Sequence, residues 1–235
     1  MSIREEARAF VSAAERERTI LRNVYLWMTL GLAMTGVVAM YVAGNPNLLR
    51  AIIGNQLLFF GLIIGELVMV MTLSRRIMTM TPTAATMTFA GYSVLNGLTL
   101  SVIFVAYTGT SIAQAFFVAA STFAALSVYA VTTKRELGGM GQYLFAGLIG
   151  LIIASVINMF LRSGTLDYLI SFVGVFLFMG LTAYDTQMIK RMSDQMSGNV
   201  GEGDFIRMSI LGALRLYLDF INLFLFLLRF LGRRD

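Results

Sequence analysis

Four ionisable side chains lie inside long apolar segments of this sequence, where they could bind or pass cations. Glu66 lies in one segment, Asp185 in "GLTAYDTQ", and Arg215 and Asp219 lie together in "RLYLDFINLFLFLLRF". Such groups are costly in lipid, so they usually face a protein interior or a water-filled cavity and mark functional sites. Carboxylates are also ligands that hard cations such as calcium prefer. These residues therefore predict ion or proton chemistry inside a membrane.

The composition indicates an all-α integral membrane protein. Of the 235 residues, 57% are hydrophobic and 13% are charged, which is typical of chains that cross a bilayer. A helix needs about 20 mainly apolar residues to span the hydrocarbon core. Seven segments qualify: 24–43, 51–73, 83–107, 112–131, 142–161, 168–188 and 208–230. We expect residues 1–22 to form a polar, helix-prone cytoplasmic tail, and residues 23–235 to form one seven-helix membrane domain.

Several kinds of chemistry are excluded by the residues that the chain lacks. It has no cysteine and no histidine, so disulfides, the usual zinc sites and a catalytic histidine are ruled out. The sixteen methionines are better explained as adaptable apolar filling than as copper ligands. An intramembrane aspartyl protease would also have a Tyr–Asp pair, which Tyr184–Asp185 matches. Its second aspartate would follow Gly-x-Gly, whereas Asp219 lies in "LYLD", and its later proline-containing motif cannot exist here because the only prolines are Pro46 and Pro82. We therefore expect no enzyme.

The distribution of basic residues predicts a cytoplasmic amino terminus and gives no reason to expect nucleic acid as a partner. Basic residues concentrate in cytoplasmic loops of membrane proteins. A cytoplasmic amino terminus places most of them inside: Arg4, Arg8, Arg16, Arg18, Arg22, Arg75, Arg76, Lys134, Arg135, Lys190, Arg191 and Arg207. Arg50, Arg162 and the carboxy-terminal arginines then lie outside. The last group disagrees with the rule, so the side of the carboxy terminus stays open.

The seventh segment is short for a membrane span. Only 13 residues separate Arg215 from Arg229, which is roughly 20 Å of helix against a hydrocarbon thickness of about 30 Å. The segment could be surrounded by protein. It could also span the bilayer if both arginines reach toward the interfaces and "ILGAL" extends the helix. Both interpretations remain open.

The positions of Asp185 and Asp219 predict a facing pair of carboxyl groups. Asp185 lies five residues before Lys190 and Asp219 lies four residues after Arg215, or about 7 Å and about 6 Å along a helix. If Arg215 marks the cytoplasmic edge, both aspartates share a depth. Segments joined by the loop 191–207 are antiparallel and plausible neighbours. A structural alternative is a protonated carboxyl that holds two helices together.

The pair of motifs "GLTAYDTQ" and "LYLDFINLFLFLLRFLG" resembles the transmembrane Bax inhibitor motif family, whose bacterial members have this length. The resemblance implies two layers of three helices around a central last helix, and residence in a bacterial inner membrane. It also implies a pH-sensitive calcium leak in some members and suppression of cell death in eukaryotic ones. The paired aspartates of the family match Asp185 and Asp219.

The resemblance assigns expected roles to other charged or polar residues. It implies a basic latch on the aspartate pair, for which Arg75 and Arg76 are candidates, although such a pair is also a common topology anchor. Glu66 resembles an acidic position in some relatives, and lies in the ion path or serves as an interior hydrogen-bonding partner. Arg215 could neutralise Asp219 one turn away. Asn222 could extend a polar stripe or bond between helices.

Together these observations predict a cation leak channel, with calcium as the permeant ion, gated by Asp185 and Asp219. Two adjacent carboxyl groups in a low-dielectric site disfavour double ionisation, so a shared proton would make the flux depend on pH. Calcium would bind the pair only transiently, and no resident metal or cofactor is expected. The lipid bilayer is the expected surrounding. The alternative is a non-conducting regulator that binds other membrane proteins through its amino-terminal tail or the 191–207 loop.

Overall fold

The described part of the protein is helical. The computed structural model describes residues 3–195 and 201–232, and this part contains no β-strand. Its α-helices are α1 (Ile3–Ala43), α2 (Pro46–Gly54), α3 (Gln56–Arg76), α4 (Pro82–Leu100), α5 (Ile103–Ala106), α6 (Gly109–Thr132), α7 (Gly141–Leu161), α8 (Gly164–Gln195) and α9 (Glu202–Leu231). Short 3₁₀ turns at Ile77–Thr79 and Gly138–Met140 precede α4 and α7.

Seven of these helical stretches are long and apolar enough to cross a membrane, which confirms the predicted all-α fold class. They are Thr19–Ala43, Gln56–Thr79, Pro82–Ala106, Gly109–Thr132, Gly138–Leu161, Gly164–Ser193 and Glu202–Leu231. The predicted amino-terminal tail is helical from Ile3 and continuous with the first span. Ile20 and Leu21 are already buried, so packing begins before residue 23.

The last helix is longer than the sequence suggested. Helix α9 contains 30 residues, which corresponds to about 45 Å of helix, and Arg215 lies well inside it rather than at its end. In its most apolar 18-residue window 67% of the residues are buried, against 39% or less in the other six spans. The interpretation of a last segment surrounded by protein is therefore supported, and its length is no obstacle to spanning.

The predicted loop 191–207 is mostly helix, and this boundary was wrong. Helix α8 continues to Gln195 and α9 begins at Glu202, while residues 196–200 lie outside the described part. The polarity of this stretch predicts a loop, but polar residues can also form helix. Glu202 and Asp204 occupy the first turn of α9, where negative charge favours helix formation through the helix dipole.

Side-chain caps and one left-handed residue form several short turns between spans. Asn45 accepts hydrogen bonds from the backbone N–H groups of the first turn of α2, while Thr81 and Thr108 cap α4 and α6 in the same way. These caps satisfy backbone donors that a helix leaves unpaired. Arg162 ends α7 in the left-handed region, with φ of 49°. The spans can therefore follow one another without long loops.

The chain forms two compact units, residues 1–102 with 189–217 and residues 103–188 with 218–235. In the first unit α4 packs against α1 and α3. Gly97 permits the close approach of α1, because a Cβ there would lie 2.7 Å from the Cβ of Val38. In the second unit Gly174 brings α8 close to α9, because a Cβ there would lie 2.6 Å from the ring of Phe226.

Candidate functional site: an aspartate pair on two antiparallel helices

Asp185 and Asp219 both belong to the second unit. Asp219 is only 4% exposed, whereas Asp185 is partly buried. Each makes at least one hydrogen bond, ion pair or electrostatic interaction. Burial of this kind removes water from a carboxyl group, which favours either a shared proton or a bound cation over an isolated charge.

Aromatic contacts fix the direction and register of α8 against α9. Phe178 of α8 stacks on Phe226 of α9 with ring centroids 5.7 Å apart. Tyr168, earlier in α8, packs on Phe230, later in α9, at 4.9 Å. Because residues earlier in one helix meet residues later in the other, the two helices run antiparallel. This agrees with the direction predicted from the sequence.

This register brings the two aspartates to matching positions. Asp185 lies seven residues after Phe178, and Asp219 lies seven residues before Phe226. Seven residues are nearly two helical turns, with a drift of about 20°, and correspond to about 10 Å along each axis. Each aspartate therefore lies on the helix face that carries the stacked ring, and this contact brings the two aspartates to similar levels, within about one to two helical turns of each other.

Threonines flank Asp185 on α8 and were not identified from the sequence. Thr182 lies between Phe178 and Asp185 on the same helix face, and its hydroxyl donates to the Phe178 carbonyl at 2.7 Å. Thr186 is fully buried, and its hydroxyl has no hydrogen-bond partner within the described ranges. Both hydroxyl oxygens retain lone pairs. They are neutral oxygens close to Asp185 along the chain that could supplement the two carboxylates.

Ordered metal binding is not built into the rest of the described chain. Residues 3–195 and 201–232 contain no group of three or more His, Cys, Asp or Glu side chains placed to hold a metal ion. Calcium normally takes about six to eight oxygen ligands.

The end of the same helix pair that lies away from the aspartates carries an ion pair. Arg229, in the last turn of α9, lies 3.5 Å from the carboxylate of Asp167, in the first turn of α8. The guanidinium also lies over the Phe226 ring, 5.7 Å from its centroid. Each charge is favourably placed relative to the dipole of its own helix. The α8–α9 contact thus extends from this ion pair through aromatic rings toward the aspartate pair.

Glu66 is held by helix α4 in the first unit. One carboxylate oxygen accepts from the Thr99 hydroxyl at 2.5 Å, and the other accepts from the Asn96 amide at 3.4 Å. The same amide contacts the Tyr92 hydroxyl at 3.3 Å. These bonds agree with the interpretation of Glu66 as an interior hydrogen-bonding partner. Its predicted place in an ion path stays a prediction.

Tyr217 is a second polar anchor of the first unit and was missed in the sequence. Its side chain is fully buried, and its hydroxyl lies 2.7 Å from that of Thr35. Thr35 also donates to the Ser93 carbonyl at 2.8 Å, and the Tyr217 ring meets Tyr92 edge to face at 5.6 Å. A tyrosine in so apolar a segment could have signalled this, because buried tyrosine hydroxyls need partners.

The latch candidates Arg75 and Arg76 are both exposed in the last turn of α3. Their position fits a topology anchor equally well, and the latch stays a prediction. The turn that follows them is tied to the start of α9: Arg207 donates to the Met80 carbonyl at 2.9 Å and pairs with Asp204 at 2.5 Å. The sequence had identified Arg207 only as a cytoplasmic charge.

The two remaining candidates on α9 have local roles in the structure. Arg215 is partly buried and lines a small cavity in the first unit together with the buried Ser193. Asn222 donates its amide to the Leu218 carbonyl of its own helix at 2.8 Å, so this donor does not bond to another helix. The acceptor side of Asn222 is still available for a polar stripe with Asp219.

The chain is similar to curated bacterial proteins along nearly its whole length. It is 46% identical over 217 residues, covering 92% of both chains, to the inner membrane protein YbhL of Escherichia coli strain K12. It is 41% identical over 225 residues to an uncharacterized protein of Borreliella burgdorferi, covering 94% of this chain and 96% of the relative. An uncharacterized membrane protein of Streptococcus pyogenes serotype M1 is 42% identical over 215 residues, covering 91% and 92%.

A family comparison agrees with the resemblance carried by the two aspartate motifs. Residues 17–235 match the family described as "Inhibitor of apoptosis-promoting Bax1". The match includes all seven spans, both aspartates and the antiparallel pair α8 and α9. The chain therefore belongs to the Bax inhibitor-like family of membrane proteins.

Proposed function

We propose that this protein is a cation leak channel, with calcium as the permeant ion, and that Asp185 and Asp219 gate it. The observation that supports this most strongly is the antiparallel packing of α8 and α9, which brings two carboxyl-bearing positions to similar levels on the helix faces that carry the stacked rings. Calcium as the ion rests on the family resemblance and on its preference for oxygen ligands. Two carboxylates alone do not select calcium over sodium or protons.

Proton binding would provide the gate. Two carboxyl groups at one level in a low-dielectric site repel each other when both are ionised, so they would share one proton. Loss of this proton forces the carboxylates to separate, to bind a cation or to attract an arginine. Each outcome changes the positions of α8 and α9. Arg75 or Arg76 would serve as the attracted latch.

We further propose residence in a bacterial inner membrane with the amino terminus in the cytoplasm. The inner-membrane location of the Escherichia coli relative supports the compartment, and the excess of arginine and lysine in alternate loops supports the orientation. Asp185 and Asp219 then lie in the cytoplasmic half of the membrane. The protein would have no enzymatic activity, and its passage of ions would need no cofactor.

The test is calcium entry into liposomes that contain only the purified chain. We expect flux above that of protein-free liposomes, and a change in this flux when Asp219 is replaced by Asn. Asp167→Asn is a matched control, because Asp167 also belongs to the α8–α9 pair but lies at its other end. Flux equal to that of protein-free liposomes for the folded parent would reject the channel.

The family description favours one other function. The words "Inhibitor of apoptosis-promoting Bax1" describe an inhibitor of another protein, and a bacterial member could likewise bind partners without conducting. The polar beginning of α1 is the surface that the sequence predicts for such binding. Capture of a defined membrane partner that requires residues 1–22, without flux in liposomes, would favour the regulator.

A further inference from the structure

The connection between α6 and α7, residues 133–140, is fixed to α8 by the side chain of Gln187. The Gln187 side-chain oxygen accepts from the Leu137 backbone N–H at 2.7 Å, and its amide nitrogen donates to the Arg135 carbonyl at 2.9 Å. Gln187 and Leu137 are each only 8% exposed. A buried amide that bonds to two backbone groups of one loop fixes the conformation of that loop.

Two basic side chains lie on this fixed backbone. Lys134 and Arg135 are exposed, and neither forms an ion pair within the described ranges. The Arg135 backbone is held at both of its polar groups, because its N–H donates to the Thr133 hydroxyl at 3.2 Å and its carbonyl accepts from Gln187. Glu136 is also exposed and would oppose a bound anion in part. Two adjacent positive charges are therefore presented from a loop that buried contacts hold in place.

The connection lies at the level of lipid headgroups. The candidate membrane spans Gly109–Thr132 and Gly138–Leu161 flank it directly. Tyr129, one turn before the end of α6, and Tyr143, in the first turn of α7, are 46% and 73% exposed. Exposed tyrosines at the ends of spans are typical of the membrane–water interface. A lipid beside these two helices would therefore bring its headgroup to the two basic side chains.

We propose that the 133–140 connection binds the headgroup of an anionic phospholipid, with Lys134 and Arg135 as its cationic contacts and Gln187 as the residue that positions them. The phosphate of a lipid such as phosphatidylglycerol has the complementary charge, and arginine and lysine both bind phosphate oxygens. In the proposed orientation the site faces the cytoplasmic leaflet, whose anionic lipids attract basic residues close to the membrane. This interaction surface goes beyond the proposed channel function and does not require ion conduction.

A single thiol beside the site can report binding in the purified protein. Because the parent has no cysteine, Gly139→Cys gives one position for an environment-sensitive fluorophore. Gly139 is exposed, and an added Cβ would have no neighbour within 4 Å. The labelled protein in neutral detergent is titrated with short-chain phosphatidylglycerol, and we expect a saturable change in fluorescence that phosphatidylcholine does not give. Lys134→Gln combined with Arg135→Gln should weaken the binding of phosphatidylglycerol about tenfold.

The positioning role is tested by Gln187→Met in the same labelled protein. Methionine has a similar length but removes both hydrogen bonds, and the net charge does not change. We expect binding weaker by about threefold, because a loop that is no longer fixed loses more conformational freedom when it binds. Arg75→Gln combined with Arg76→Gln is the matched control, since it removes an exposed basic pair from the end of α3. It should leave the response at position 139 unchanged.

Each result bears on a different part of the proposal. Equal responses to phosphatidylglycerol and phosphatidylcholine would reject the site, as would a full response in the Lys134 and Arg135 double variant. A response weakened as much by the Arg75 and Arg76 control would indicate diffuse attraction and reject a localised site. An equal response to inorganic phosphate would show that a free anion is bound rather than a lipid.

Unchanged binding in a folded Gln187→Met protein would reject the positioning role alone. If Gln187→Met does not fold, Gln187→Asn, whose side chain is one methylene shorter, provides the same comparison. None of these outcomes depends on calcium flux, so they are distinct from a failure of the channel function.

Discussion

Replacement of Gly174 by alanine should force α8 and α9 apart, and this tests the register on which the aspartate pair depends. An added Cβ would lie 2.6, 2.7 and 2.8 Å from three atoms of the Phe226 ring, whereas ordinary carbon contacts are about 3.5–4.0 Å. The ring or the helix must therefore move by roughly 1 Å. Overpacking of this size typically costs about 1–3 kcal/mol.

The assay is thermal unfolding of the purified protein in detergent. For a chain of this length each 1 kcal/mol lowers the midpoint by about 2–4 °C. Gly150→Ala is the matched control, because the added Cβ would have no neighbour within 4 Å. Phe226→Leu should recover part of the loss in the double variant, since a smaller side chain makes room. A Gly174→Ala protein as stable as Gly150→Ala would refute the close packing of α8 on the Phe226 ring of α9.

Three other changes test separate parts of the structure. Glu66→Gln should keep both the fold and calcium flux, because Gln retains an acceptor for Thr99. Glu66→Leu removes the hydrogen bonds to Thr99 and Asn96 and should lower the free energy of unfolding by about 0.5–1.5 kcal/mol, since both donors keep a second acceptor. Loss of flux in a folded Glu66→Gln protein would instead place Glu66 in the ion path. Tyr217→Phe removes the 2.7 Å hydrogen bond to Thr35 and should cost about 0.5–1.5 kcal/mol in unfolding experiments; an unchanged stability would contradict a net contribution from this bond. Single cysteines can be placed at the exposed positions Lys134 and Asn47 and treated with an impermeant reagent in sealed cells. Only the cysteine at position 47 should react, and labelling at position 134 alone would show the opposite orientation.

Much of the fold could be predicted from the sequence because apolar length is a strong signal in a membrane protein. All seven predicted segments correspond to helical spans, and the antiparallel direction of α8 and α9 follows from their short connection. The motifs around Asp185 and Asp219 also indicated the family that the comparisons show. Apolar length and sequence motifs can each be identified from consecutive residues, without knowledge of contacts between distant parts of the chain.

The remaining features depend on contacts between distant residues, which periodicity does not encode. The sequence around Asn96 and Gln187 does not indicate that their amides bond to Glu66 and to the backbone of Leu137, respectively. The polar residues around 191–207 looked like a loop because hydropathy measures affinity for lipid rather than the tendency to form helix. The level of Asp219 was inferred from Arg215 as a helix edge, although α9 begins at Glu202. The aromatic contacts of α9 supply the register that the sequence could not.

The central claim is tested most directly by the pH dependence of calcium entry into proteoliposomes, measured from about pH 6 to pH 8, the neutral range toward which burial can shift a carboxyl group. The parent should show flux that varies across this range. Histidine is the side chain that ordinarily titrates there, and the chain contains none. Asp185→Asn and Asp219→Asn should each flatten the response, and the double variant should add little, because the two carboxyl groups titrate as one unit. Folded single variants that both retain the full pH dependence of the parent would contradict the aspartate gate.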